Sequence, residues 1–85
     1  MVTEREYEHV WRECRREENS STGLRVCFDN AFIKDGDGFR KVFWVEIGQE
    51  LWPWKMLASR EETQSATPQE AFDKAIALRQ QREAE

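Results

Sequence analysis

The side chains able to do chemistry are few: one histidine, His9, and two cysteines, Cys14 and Cys27. These are donor types for zinc, but structural zinc takes four ligands, commonly as close pairs such as C-x2-C or H-x3-H. No such pair occurs, so the expectation is one packed thiol, one half-buried thiol and no metal. Asp35, Asp37 and Glu46 fall at positions 1, 3 and 12 of a calcium-binding loop. The oxygen ligand and glycine that calcium needs at positions 5 and 6 are replaced by Phe39 and Arg40, so the stretch reads as a turn. Around His9 there is no phosphate-cradling glycine loop, nucleophile elbow or paired acid. The expectation is therefore no enzyme and no cofactor. The stretch that asks for an explanation is "ELWPWKML" (50–57). Trp52 and Trp54 are two apart, and in an extended chain they point to one side.

Eighty-five residues supply one small domain. Hydrophobic residues at 39% and charged residues at 35% exclude a membrane span on one side and a disordered chain on the other. No apolar run approaches membrane-spanning length and the first twenty residues are highly charged, which leads us to expect a soluble, cytoplasmic chain with reduced thiols. A formal charge of −4 works against phosphate binding, which draws its energy from clustered cations.

The elements that must position these residues follow from the hydrophobic period. Tyr7, Val10, Trp11 and Cys14 recur at helical spacing within 3–18, with Thr3 and Glu6 forming a capping box. "NSSTG" (19–23) ends that helix. From Leu24 the period changes to two. Leu24, Val26 and Phe28 alternate with Arg25, Cys27 and Asp29 along a strand over 24–33, with a bulge expected at Asp29-Asn30 where the alternation breaks. "KDGDG" (34–38) reads as a five-residue hairpin loop leading into a strand over 39–48. There Phe39, Phe43, Val45 and Ile47 share one face, and Arg40, Val42, Trp44 and Glu46 share the other. A third strand, 51–59, carries Pro53, which cannot donate to a ladder and marks an edge. A polar connector (60–66) precedes "TPQE", where Thr67 caps and Pro68 opens a helix over 67–82, with a polar tail beyond. The expected fold is a single α+β domain of order α-β-β-β-α. Its three-stranded antiparallel meander carries both helices on one face.

That order resembles the double-stranded-RNA-binding domains, and a three-stranded sheet with a helix is similar to plant-type and integrase-arm DNA-binding domains. The first resemblance implies lysines at the start of the last helix, where this chain has Thr67, Pro68, Gln69 and Glu70. The second implies a cationic sheet, for which Arg25, Arg40, Lys41 and Lys55 are the candidates. Both likenesses are of topology and transfer no residue.

Two helices cover one face of a three-stranded sheet. If Trp52, Trp54, Met56 and Ala58 join the covered face, the other still carries Val42, Trp44, Leu57 and Cys27 beside Arg40 and Lys55. If the register slips by one, Trp52 and Trp54 move to the open side. Exposed aromatics interleaved with cations have the composition of a protein-binding surface. The sequence therefore leads us to expect a non-enzymatic protein-interaction module. It would be a small adaptor or inhibitor of the kind phages and other mobile elements use, docking through Trp44, Val42, Trp52, Trp54, Arg40 and Lys55. Its acidity favours a basic partner, and a second copy of the chain is another candidate partner. The alternative is a nucleic-acid-binding domain using the sheet or the last helix.

Overall fold

Thr3 opens the first helix, its hydroxyl accepting the Glu6 amide at 3.1 Å. The helix, α1, runs Glu4–Glu17, with acids in its first turn and Arg15 and Arg16 in its last, the arrangement its dipole favours. Gly23 then turns the chain at φ 73°, and a β-carbon there would meet the Glu50 backbone at 3.2 Å, so only glycine lets the two segments approach. In the computed structural model, which describes residues 2–50 and 55–84, two twelve-residue strands follow, β1 (Leu24–Asp35) and β2 (Gly38–Gln49). A short β3 (Lys55–Ala58), a one-turn α2 (Arg60–Thr63) and a long α3 (Pro68–Glu83) complete the chain.

The sheet is an antiparallel meander in the order β1-β2-β3, and the domain has the α-β-β-β-α order expected, with α2 added before the last helix. One core joins Val10 and Cys14 of α1, Val26 of β1, Phe43, Val45 and Ile47 of β2, Leu57 of β3, and Ala71 and Ala75 of α3. Tyr7 packs at its margin, its ring tilted against that of Phe28 with centroids 4.9 Å apart. No helix among the described residues is long and apolar enough to cross a membrane.

Several local expectations are corrected. The β1–β2 register runs unbroken from Leu24↔Gln49 to Asp35↔Gly38, so there is no bulge at Asp29-Asn30. The five-residue loop is a two-residue turn, Gly36-Asp37, with glycine at φ 62° in the first central position. The bulge lies instead between Ile47 and Gly48, opposite Ala58 and Met56. The extra residue, Leu57, drops into the core beside Ala58, while Met56 turns out to solvent. The expectations for Trp52 and Trp54 lie outside the described residues.

The 60–66 connector is structured. Ser59 and Glu62 form a capping box around α2. Thr63 then acts in place of a strand residue: its hydroxyl accepts the Val45 amide at 3.0 Å and donates to the Val45 carbonyl at 2.9 Å. Ser65 exchanges backbone hydrogen bonds with Phe43 (2.8 and 2.9 Å) and continues the sheet. The polar end of α3 stays helical as far as Glu83. Arg79 pairs with Glu17 of α1 at 2.7 Å, and Arg82 donates to the Leu57 carbonyl and to Glu62, tying α3 to β3 and α2.

Candidate interaction surface

On the face of the sheet turned away from α1 and α3, β2 is closed at Val42 and Trp44, where openness was expected. Val42 is 1% exposed and Trp44 6%. The Arg60 guanidinium of α2 stands 3.9 Å from the centre of the Trp44 ring, a close cation–π contact. The expected exposed pair is therefore corrected: Val42 and Trp44 are packed inside the domain. Arg40 is exposed at the hairpin tip, 3.7 Å from Asp35, and Lys55 is exposed on β3. These four residues do not form one open patch.

A different surface is open, and its origin is a mismatch of lengths. Twelve strand residues at about 3.3 Å each span roughly 40 Å. The fourteen residues of α1 at about 1.5 Å each span roughly 21 Å. The helices cannot roof the whole hairpin, and every residue from Lys34 to Lys41 is exposed. Phe39 has the strand parity of the core residues Phe43 and Val45, as expected, yet lies beyond their roof at 73% exposure. Phe32, on the same face, is 69% exposed. Lys41 reaches between rings, its Nζ 5.7 Å from Phe32 and 5.6 Å from Phe43. Lys34 shares this face, and no carboxylate of β1 or β2 does beyond Asn30. The result is a projecting ribbon with aromatic rings and ammonium groups on one side.

The outer edge of β1 is only half protected. Asn19 exchanges backbone hydrogen bonds with Leu24 (3.1 and 2.9 Å). At Val26 the outward amide donates to Glu18 at 3.3 Å and the carbonyl accepts from Arg15. Past Val26 this cover stops. The Asn30 amide is held by the neighbouring Asp29 carboxylate at 2.8 Å. Among the described residues, nothing bonds the outward backbone groups of Phe28, Phe32 and Lys34.

Alongside this edge α1 forms an open trough of about 920 Å³, lined by Thr3, Glu4, Arg5, Tyr7, Glu8 and Trp11. Tyr7 joins it to the strand, accepting a hydrogen bond from the Asn30 side chain at 3.2 Å. Trp11, expected in the apolar stripe of α1, is instead half exposed here, with the Arg15 guanidinium 5.7 Å from its ring. A smaller hollow of about 480 Å³ lies between Val2, Tyr7, Lys41 and Phe43.

The thiols are both free. Cys14 is buried in the core, and burial pushes its pKa up to about 12. Cys27 is exposed on the far face of β1; partial desolvation raises its pKa, with Glu46 and Asp29 adding to the effect. Neither environment promotes a thiolate.

Sequence reading missed Phe32 and Phe39 as surface residues because it assigned faces by parity alone. The available signal was strand length set against helix length. Compared with known proteins, the chain matches no family model, no curated protein and no solved structure.

Proposed function

We propose that this chain is a non-enzymatic protein-interaction module, a small cytoplasmic adaptor or inhibitor of the kind phages and other mobile elements carry. Its docking surface is the distal half of the β1–β2 hairpin. The observation that supports this reading is the pair of phenylalanines at the hairpin tip, Phe32 and Phe39, more than two-thirds exposed on a ribbon that reaches beyond the core. Large exposed rings on a projecting element are costly to hydrate, and aromatic residues, phenylalanine among them, are enriched at protein interfaces. Lys34 and Lys41 flank them and favour carboxylates on the partner's rim, while the net charge of −4 draws in basic partners at longer range.

The reading is tested by capture of binding proteins from the native host with the intact chain and with a Phe32→Ser/Phe39→Ser variant. Retention of a discrete protein by the first and its loss by the second is the expected result. Equal capture by both overturns the assignment of the surface. The second reading, a nucleic-acid-binding sheet, draws on the same side chains, since rings between lysines suit stacked bases beside phosphates. It predicts retention of single-stranded DNA or RNA that falls steeply with salt.

A further inference from the structure

We propose that two copies of this chain pair antiparallel through the free outer edge of β1, about a two-fold axis at Ala31, joining their sheets into one. The inference rests on the reading of the distal hairpin as a docking surface and names its partner.

The register follows from which backbone groups are available. The even-numbered residues of β1 point their amides and carbonyls outward, and an antiparallel neighbour can bond only through such residues on both strands. Centring the axis on Ala31 pairs Phe28 with the second copy's Lys34, and Asn30 with its Phe32. This uses the whole free segment. Moving the centre to Asn30 brings Lys34 against Val26, whose outward groups are already taken by Glu18 and Arg15. Moving it to Phe32 sets Asp29 directly against the second copy's Asp35, a like-charge pair. Of these three registers, only the one centred on Ala31 keeps every paired strand residue clear of both conflicts.

The side chains agree with it. Ala31 meets its own copy at the axis, where non-hydrogen-bonded strand neighbours approach most closely and a small residue fits. Asp29 faces Ile33. Phe32, exposed in the single chain, comes to lie opposite Asn30, the residue that bonds Tyr7. Lys34 comes to lie opposite Phe28, under Tyr7, where Glu4 and Glu8 line the trough of α1. On the far face, the acidic turn of one copy arrives abreast of the other copy's Arg25. At Asn30 the partner's Phe32 carbonyl replaces the Asp29 carboxylate as acceptor of the amide. The two-fold axis closes the assembly, so it stops at a dimer.

The test is sedimentation equilibrium of the full chain over a wide concentration range, with disulfide trapping of the register. Ala31→Cys in a Cys27→Ser background should oxidise to a covalent dimer, because non-hydrogen-bonded strand neighbours lie within disulfide reach. Ile33→Cys in the same background should not, since position 33 opposes position 29. Ile33→Asp sets like charges against Asp29 at two symmetric places and should weaken association roughly tenfold. Adding Asp29→Lys to it should restore association. Circular dichroism melting confirms that each variant is folded. A chain that stays monomeric throughout, or cross-links through position 33 and not 31, overturns the proposal. Monomer sedimentation combined with Phe32/Phe39-dependent capture of another protein overturns the dimer alone and leaves the hairpin as the docking surface.

Discussion

Changing Trp44 to alanine separates the buried face of the sheet from the open one. Trp44 is 6% exposed, with the Arg60 guanidinium 3.9 Å from its ring. Truncating a buried tryptophan to alanine costs about 3–5 kcal/mol, through lost transfer energy and the cavity left behind. An 85-residue domain has a total stability of about 4–13 kcal/mol. The substitution therefore removes a large part of it, and the melting temperature should fall by about 12–40 °C, taking about 4–8 °C per kcal/mol for a chain of this size. The assay is urea and thermal unfolding followed by far-ultraviolet circular dichroism, since removing an indole alters the fluorescence directly. Phe32→Ala and Phe39→Ala are the controls. Both rings stand in solvent, so each should change stability by less than about 0.5 kcal/mol. A Trp44→Ala loss below about 1 kcal/mol would show that the ring is a surface residue and would refute the assignment of the open face to the hairpin tip.

Thr63→Val keeps the shape of a fully buried side chain but orphans the Val45 amide and carbonyl, and should cost about 2–5 kcal/mol in urea unfolding, while Thr63→Ser should cost about 1. A disulfide reagent should modify Cys27 in the native chain and reach Cys14 only after denaturation, because Cys14 is buried with its pKa pushed up to about 12; rapid modification of two thiols in the native chain would contradict the packing. Hydrogen bonds from Arg82 and Ser59 hold the Glu62 pKa down at about 2. A depressed carboxylate stabilises the fold fully above its unfolded value near 4.5 and loses that contribution as pH falls towards 2, so the stability difference between wild type and Glu62→Gln should shrink across that window and a constant difference would disprove the linkage.

The order of elements was legible because its signals are local. Val10 and Cys14 mark one side of a helix, Val26 alternates with Arg25 and Cys27, and Thr67-Pro68 announces a helix start; all three sit as their spacing implies. What stayed hidden depends on residues far apart in the chain. Trp44 is closed off by Arg60, sixteen positions later, on a one-turn helix too short to give a hydrophobic period. The Ser59–Glu62 capping box was present in the sequence but lay within an otherwise polar run. Leu57 enters the core through a bulge that exists only once β3 is set against Ile47 and Gly48. Phe39 had the right parity and the wrong environment, because the covered length of a strand is set by the helices above it.

Amide hydrogen exchange along β1 tests the central claim most directly. In dilute solution the Ala31 and Ile33 amides, bonded to β2, should be protected, while the Phe28, Phe32 and Lys34 amides on the outer edge should exchange freely. When the chain associates, those three outer amides should become protected together. Outer amides already protected in the dilute chain, or unprotected in the associated one, would contradict the account.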